Sequence, residues 1–370
     1  MESFVVSARK YRPLGFAEVV GQDHITTTLK NAIDNNHLAQ ALLFCGPRGV
    51  GKTTCARILA RMINEFDAES GDADTSNFNI YELDAASNNS VEDIRNLIDQ
   101  VRYPPQHGKF KVYIIDEVHM LSNQAFNAFL KTLEEPPSYA IFILATTEKH
   151  KVIPTILSRC QIYDFNRIEI GDIVVQLGEI AAKEGIKAEE DALHLIAQKA
   201  DGALRDALSM FDLIVTFSTD NEITYQNTIK NLHILDYDYY FRICDAFIEE
   251  NTASVLLLFD EILKKGFDGH NFLIGLQQHL RNLLVCRDPA TLSLLDVSDN
   301  VKKRYHEQSQ LLSSGLLLSG LNLLNQSDLS YKSSKNQRLH VELALMKMAH
   351  LSRAIQIAAN PEEALKKKVA

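Results

Sequence analysis

One short stretch of the chain carries the residue types that bind phosphate. It reads GPRGVGKTT and follows the apolar run AQALLFC. Glycines at this spacing let successive backbone N–H groups point into one concavity that holds phosphate oxygens, and the helix that follows directs its positive end at the same anion. The pattern predicts that Lys52 neutralises the β- and γ-phosphates of a nucleotide and that Thr53 ligates Mg²⁺. The residues expected to contact the nucleotide here are Gly46, Pro47, Arg48, Gly49, Val50, Gly51, Lys52, Thr53 and Thr54.

A second group of chemically useful residues ends the apolar run in VYIIDEVH. Asp116 is expected to hold Mg²⁺, directly or through water. Glu117 is expected to polarise the attacking water as a general base. Between the two motifs, NIYELDAAS (79–87) and VEDIRNLIDQVR (91–102) supply one further strand and one further helix. An inserted strand–helix pair of this kind is the arrangement of AAA+ and related ATPases.

Three further polar positions extend this chemistry. In ILATTE, Thr147, with Thr146 as the second choice, could hold the attacking water or the γ-phosphate. In ILSRC, Arg159 cannot easily reach its own phosphate loop, so it either reaches a neighbouring subunit's γ-phosphate or pairs with an acid at the surface. In DGALRDAL, Arg205 could fold back over the nucleotide.

The elements that must position these residues follow from the apolar runs. ALLFC (41–45), VYIID (112–116) and AIFILATT (140–147) are typical of buried parallel strands. Helical patterns lie between them, and SNQAFNAFLKTLEE begins at a plausible N-cap, Ser122, and stops at Pro136 and Pro137. This alternation predicts an α/β fold with a doubly wound parallel sheet.

The character of the chain changes twice after the predicted sheet. We predict a nucleotide-binding domain over 1–165 and a small helical domain over 166–230, with helices near 170–184, 189–200 and 203–217. An all-helical domain over 231–370 follows, with leucine-rich stripes. The acidic segment ESGDADTSN (69–77) is expected to be a loop.

Composition excludes several classes of protein. The net charge of −10 is not the basic footprint of a protein that holds nucleic acid by bulk electrostatics. Five widely spaced cysteines without a CxxC pair argue against a disulfide framework and against a zinc site. The sequence shows neither a secretory signal nor an apolar run of the roughly 20 residues that a membrane span needs. We therefore expect a cytoplasmic protein without membrane contact.

The motifs together resemble the γ/τ subunits of bacterial DNA polymerase III clamp loaders, which are AAA+ ATPases. The resemblance covers most of residues 8–215. The helical remainder of the chain is similar to the family's collar domain mainly in length and character. The resemblance implies an AAA+ domain, a helical lid and a collar. The strings that carry it are ARKYRPLGFAEVVGQDHI, GPRGVGKTT, ELDAASNNSVEDIRNLIDQV, FKVYIIDEVHML, FNAFLKTLEEPP, FILATTEKHKVIPTILSRCQIYDF and ADGALRDALSMFD.

The resemblance implies a role for each matching residue. Lys52 and Thr53 match Walker A, and Asp116 and Glu117 match Walker B. Thr147 matches sensor 1. Arg159 matches the arginine finger that acts in trans, and Arg205 matches sensor 2. The segment that packs around the adenine and ribose is matched by Tyr11, Arg12, Pro13, Val19 and Val20.

The resemblance also implies partners. They are ATP with Mg²⁺, the δ and δ′ subunits, further γ/τ copies, the sliding clamp, primed DNA, and the polymerase III core if a τ form exists. Lys151 and Thr155 are candidates for DNA-backbone contacts, or else solvated loop residues. Two other functions stay open: another AAA+ remodeller, such as a replication factor C-like loader or a branch-migration motor, and a ring member that binds ATP without hydrolysing it. The complete set of Lys52, Asp116 and Glu117 disfavours the last.

Two departures from the family pattern stand out. The family usually carries a four-cysteine zinc module after the Walker A helix, whereas RMINEFDAESGDADTSNFNI contains neither cysteine nor histidine. We therefore expect no zinc. The additional τ domains are absent from these 370 residues, so the chain is expected to be a γ-like form or to end at the collar.

Overall fold

A parallel sheet of five strands is built from residues between 41 and 164. The computed structural model describes residues 5–65, 79–105, 108–218, 221–232, 234–295, 297 and 299–359. The strand order is β2-β3-β4-β1-β5. The strands are β1 (Ala41–Cys45), β2 (Ile80–Asp84), β3 (Lys111–Asp116), β4 (Ala140–Thr146) and β5 (Gln161–Asp164). The predicted fold class is confirmed.

The three apolar runs predicted as buried strands form the interior of this sheet, and the further strand predicted in NIYELDAAS (79–87) is β2, at its edge. β1 and β4 are buried along their whole lengths, and β3 is buried up to its last residue. Near-continuous apolar runs of this kind are typical of strands covered on both faces. Because Cys45 pairs with Thr146 and Asp84 with Asp116, the strands' carboxyl ends meet at one edge of the sheet. This edge carries the predicted chemistry.

Helices flank the strands much as the sequence predicts. Ser122 caps the helix Asn123–Glu134 by accepting a hydrogen bond from the Ala125 N–H, and Ser90 and Asp93 form a capping box at the start of the helix Val91–Val101. The helices up to residue 217 are α1 (Ser7–Lys10), α2 (Asp23–Asp34), α3 (Lys52–Ile63), α4 (Val91–Val101), α5 (Asn123–Glu134), α6 (Pro154–Leu157), α7 (Ile170–Lys183), α8 (Glu190–Ala200) and α9 (Leu204–Phe217). Short 3₁₀ turns occur at Phe16–Glu18, Val118–Met120 and Lys149–Lys151, and a two-stranded parallel ribbon joins β6 (Lys187–Ala188) to β7 (Glu222–Ile223).

The chain is divided into two compact units. One comprises Met1–Ala188 and Ile196–Ile223, and the other comprises Glu189–Leu195 and Thr224–Ala370. The second unit has its own buried core, which includes Phe259 and Phe272. The predicted boundaries of three domains stay a prediction. The later helices are α10 (Tyr225–Asn231), α11 (Tyr237–Ile248), α12 (Thr252–Lys264), α13 (Gly269–Val285), α14 (Asp299–Leu311), α15 (Ser314–Tyr331), α16 (Gln337–Ala349) and α17 (Leu351–Ala359), with a 3₁₀ turn at Pro289–Leu294.

Two negative findings concern the described residues alone. None of their helices is both long enough and apolar enough to cross a bilayer. No group of three or more His, Cys, Asp or Glu side chains among them is arranged to hold a metal ion. The acidic segment 69–77, which the sequence predicts to be a loop, lies wholly outside the described residues.

Candidate nucleotide-binding and active site

A cleft at the carboxyl edge of the sheet brings most of the predicted site residues together. Its walls come from the glycine-rich loop, the end of β3, the start of α9 and the N-terminal arm, by which we mean Val5–Pro13. The cleft is lined by Ala8, Tyr11, Arg12, Pro13, Val19, Val20, Arg48, Gly49, Val50, Gly51, Lys52, Thr53, Thr54, Asp116, Glu117, Ile168, Leu204, Arg205 and Leu208.

Lys52 is held by the loop that precedes it. Its Nζ donates to the carbonyl oxygens of Gly46 at 2.8 Å and Pro47 at 2.6 Å, and the residue is 5% exposed. Burial lowers the pKa of Lys52, while the carboxylates of Glu117 and Asp116 act in the opposite direction. The ammonium group can exchange these carbonyls for phosphate oxygens, which carry more negative charge and stabilise it better.

The glycines of the loop are needed where other segments approach it. A Cβ on Gly46 would lie 2.4 Å from the Phe165 carbonyl oxygen, which follows β5. Gly49 has a φ of 76°, and a Cβ there would lie 3.0 Å from the Ala203 Cβ. The Arg205 N–H donates to the Gly49 carbonyl at 3.3 Å. The start of α9 therefore packs directly on the phosphate loop, which places Arg205 in the cleft wall.

Two oxygen donors suited to a divalent cation meet beside the loop. Thr53 Oγ1 donates to Asp116 Oδ2 at 2.7 Å, although the two residues are 63 positions apart in the chain. The other carboxylate oxygen of Asp116 accepts the Glu117 N–H at 2.9 Å. Hydroxyl and carboxylate oxygens are the ligands that Mg²⁺ prefers, so this pair fits the predicted metal position.

Glu117 occupies an uncommon backbone conformation and is held by the neighbouring strand end. Its φ is 47°, in the left-handed region that disfavours residues other than glycine. Its carboxylate accepts the Thr147 hydroxyl at 2.9 Å and the Thr147 N–H at 3.3 Å. Thr146 is fully buried, and its hydroxyl oxygen accepts the Glu148 N–H at 3.0 Å. Of the two sensor candidates, Thr147 is thus the one beside Glu117.

Packing brings to the site several residues that were not predicted from the sequence. Ile168 and Leu208 add apolar surface to the cleft, and Ala8 and Leu204 extend its wall. His119, which contacts Glu117 and Thr146, was also missed. Its one signal in the sequence was its place in VYIIDEVH, two positions after Glu117.

Arg159 lies outside the cleft, as expected of a residue that does not serve its own loop. Its guanidinium pairs with the Glu134 carboxylate and donates to the Thr155 carbonyl at 2.7 Å. The side chain is 31% exposed. Lys151, at the end of the 3₁₀ turn before α6, pairs with Glu148 at 2.7 Å. Arg159 is therefore reachable from solvent and paired with an acid. This pairing is one of the two roles that the sequence left open for Arg159, and the other, in a neighbouring subunit, stays a prediction.

The fold and the cleft define a P-loop protein of the AAA+ class. Three family models match consecutive parts of the chain: "DNA polymerase III, delta subunit" over residues 21–169, "DNA polymerase III clamp loader subunit, ATPase lid domain" over 172–220, and "DNA polymerase III subunits gamma and tau domain III" over 223–367. The chain belongs to the family of DNA polymerase III γ and τ subunits.

Curated relatives agree with these models. The γ subunit of Buchnera aphidicola is 34% identical over 365 residues, which is 95% of this chain and 98% of that protein. The τ subunit of Bacillus subtilis is 38% identical over 361 residues, which is 95% of this chain but 64% of that protein. The chain thus spans less than two thirds of the length of that τ relative. Among solved structures, the RuvB Holliday junction branch migration motor of Thermotoga maritima is 20% identical, with a TM-score of 0.48 over 65% of this chain and 80% of that chain.

Proposed function

We propose that the chain is the ATPase subunit of a bacterial DNA polymerase III clamp loader. In this role it hydrolyses ATP to ADP and phosphate and uses the nucleotide cycle to place a sliding clamp on primed DNA. The observation that carries the proposal is the convergence of Lys52, the Thr53–Asp116 pair and the Glu117–Thr147 pair on one edge of the sheet. Family membership and the two complete Walker motifs support it.

The chemistry assigns a separate task to each part of the cleft. The loop N–H groups and Lys52 would bind the phosphates, and Thr53 and Asp116 would hold Mg²⁺, which neutralises phosphate charge when bound. Glu117 would accept a proton from the attacking water, with Thr147 orienting it. Arg205 would contact the phosphates from the start of α9. Tyr11, Arg12, Pro13, Val19 and Val20 would pack around the adenine and ribose.

The position of Arg159, outside the cleft and partly exposed, supports hydrolysis between subunits. We propose that Arg159 leaves Glu134 and reaches the γ-phosphate held by a neighbouring copy. Assembly with δ, δ′ and further γ/τ copies through the helical region 231–370 would bring it there. The sliding clamp and primed DNA are the proposed substrates of the assembly in the cytoplasm, and Lys151 and Thr155 are proposed DNA-backbone contacts. The polymerase III core would be a partner only of a longer τ form.

The proposal is tested by steady-state ATPase assays of the purified chain. We expect slow turnover by the chain alone and strong stimulation when δ, δ′, clamp and primed DNA are all present. The Lys52→Ala variant should abolish the stimulated turnover, because the phosphates lose their main counter-charge. Stimulation by DNA without any clamp, with translocation along the duplex, would instead favour a branch-migration motor.

Arg159→Ala tests the trans role of the arginine. We expect ATP affinity to stay within about twofold and DNA-stimulated turnover to fall, by as much as the roughly 10³–10⁵-fold typical of arginine fingers. Arg102→Ala is a matched control, since Arg102 is 74% exposed and pairs with its helix neighbour Asp99. Near-normal stimulated turnover of Arg159→Ala in the assembled complex would refute the assignment.

A further inference from the structure

We propose that His119 is a positioning residue that holds Glu117 and the end of β4 in their working arrangement. The proposal rests on the proposed function, because it concerns the same site. His119 lies in the 3₁₀ turn Val118–Met120, two positions after Glu117, and its side chain is 7% exposed. It is not among the residues that line the cleft, so the proposed role acts through the residues that His119 contacts.

The imidazole bridges two segments that are far apart in the sequence. Its Nδ1 lies 3.1 Å from Thr146 Oγ1 and 3.4 Å from Glu117 Oε2. Its Nε2 lies 3.1 Å from Glu148 Oε2. His119 therefore connects the turn after β3 to both residues that flank Thr147 in the chain.

The hydrogen bonds around Thr146 assign a role to each ring nitrogen. Thr146 Oγ1 already accepts the Glu148 N–H at 3.0 Å, and Thr146 is fully buried. Its hydroxyl hydrogen can then be donated to His119 Nδ1, while the Nε2–H donates to Glu148. This tautomer is assigned from the hydrogen bonds of Thr146 and Glu148; in it Nδ1 donates nothing to Glu117, so His119 acts on Glu117 through Thr147. The end of β4 is thus fixed from inside the protein.

Glu117 depends on this end of β4. Thr147 donates twice to the Glu117 carboxylate, and Thr147 stands between the two residues that His119 holds. A displacement of Thr147 would leave Glu117 with a left-handed backbone and without its orienting donor. Because a misplacement of about 1 Å can cost about 10²-fold in rate, a loose β4 end should lower turnover without weakening phosphate binding.

A kinetic comparison of variants tests this role. His119→Ala, assayed with δ, δ′, clamp and primed DNA, should lower kcat by about 10- to 100-fold and leave the KM for ATP within about twofold. His119→Gln keeps an amide that can bond Thr146 or Glu148, and should recover part of kcat. The matched control is His150→Ala, because His150 is 76% exposed and 4.0 Å from Glu148; it should retain normal kinetics. Normal kcat in His119→Ala would overturn the proposal, as would a loss that His119→Gln does not relieve.

A second measurement needs neither nucleotide nor partners. In the free chain, amide hydrogen exchange at Thr147 and Glu148 should quicken in His119→Ala, because both N–H groups bond to atoms that His119 positions. Exchange in β5, which is two strands away from β4 in the sheet, should stay unchanged. Quickening across the whole sheet would show a loss of stability alone and would overturn the positioning role.

The outcomes separate this proposal from the proposed function. If Lys52→Ala abolishes turnover while His119→Ala turns over normally, the positioning role fails and the ATPase assignment stands. If Lys52→Ala retains stimulated turnover, the ATPase assignment fails. In that case, unchanged exchange at Thr147 and Glu148 in His119→Ala would overturn the positioning role as well.

Discussion

Two histidines whose side chains are largely shielded from solvent, His119 and His279, have different roles in different regions of the chain. His119 lies at the carboxyl edge of the sheet, between the carboxylates of Glu117 and Glu148. His279 lies in the helical second unit and is 1% exposed. Its Nδ1 is 3.0 Å from the Tyr305 hydroxyl and its Nε2 is 3.0 Å from Gln308 Oε1. His119 contacts charged groups, whereas His279 hydrogen-bonds to neutral ones.

The neighbours decide what each histidine contributes. Gln308 also donates to the Phe241 carbonyl at 2.8 Å and to Asp245 Oδ1 at 2.7 Å, so the polar atoms next to His279 have their partners among the helices. Burial lowers the pKa of His279 to about 3; the Arg304 charge acts in the same direction, and the Gln308 hydrogen bond opposes both. A satisfied buried network of this kind specifies packing. The network at the sheet edge instead includes Glu117, which lines the cleft.

Among the substitutions that test the contrast between these two regions, the largest expected effect comes from the sheet edge. Glu117→Gln removes the proposed base while preserving its shape, so stimulated ATP turnover should fall by about 10²–10⁴-fold. The thermal unfolding midpoint should change little, because the amide oxygen of the substituted side chain can still accept from Thr147. Steady-state turnover of the assembled complex and calorimetry of the chain check the two parts.

Glu92→Gln supplies the control for this substitution. Glu92 is an exposed residue in the first turn of α4 and has no place in the cleft. Its substitution should leave turnover unchanged. Normal turnover of Glu117→Gln would contradict the catalytic role of the sheet edge. Glu117 would then have a structural role only, like the residues around His279.

His279 in the helical second unit should make the stability of the chain depend on pH. The folded-state pKa of His279, about 3, lies below the ordinary histidine value of about 6.5, so the unfolded chain binds the proton between these values. The contribution of His279 is therefore complete above about pH 6.5 and is lost as the pH falls, at about 1.4 kcal/mol per unit. At pH 4.5 the loss should reach about 2–3 kcal/mol.

Urea unfolding at several pH values measures this contribution. His279→Gln should unfold more easily than the natural chain at pH 7, and the difference should shrink towards pH 4.5. His37→Gln, at an exposed histidine, should keep the natural chain's pH dependence. Equal slopes for the natural chain and His279→Gln would show that His279 is protonated in the folded state.

Much of the fold and part of the site could be predicted because their signals are local. The runs at 41–45, 112–116 and 140–147 are apolar enough to identify buried strands, and Ser122 marks a helix start by its own chemistry. The Walker residues follow the ends of two of these strands. Parallel pairing then brings the strand ends together.

The parts that were missed depend on contacts between distant segments. β5 is short and largely exposed, so no apolar run marks it, and its place beside β1 comes from pairing across more than 100 residues. Ile168 and Leu208 reach the cleft only because α9 packs on the phosphate loop. The choice between Thr146 and Thr147 required the direction of each side chain at the end of β4, because successive residues of a strand point to opposite faces.

The smallest expected effect concerns the N-terminal arm, where one polar contact is buried and another lies at the surface. The N-terminal arm lines the cleft with Tyr11 and Arg12, and α9 holds it through Asp212, which accepts the Ser7 N–H at 2.7 Å and the Ser7 hydroxyl. Ser7 is 6% exposed. Asp212→Asn should weaken these bonds by roughly 1 kcal/mol and raise the KM for ATP about fivefold, with kcat unchanged.

Lys10→Ala supplies the matched change on the same arm. Lys10 pairs with Glu184 at the surface, its side chain is 50% exposed, and surface ion pairs contribute little. The KM of the Lys10→Ala variant for ATP should stay within about twofold of the value for the natural chain. If Lys10→Ala raised KM as much as Asp212→Asn, burial would not decide which polar contacts shape this site, and the contrast drawn between the two histidines would lose its physical basis.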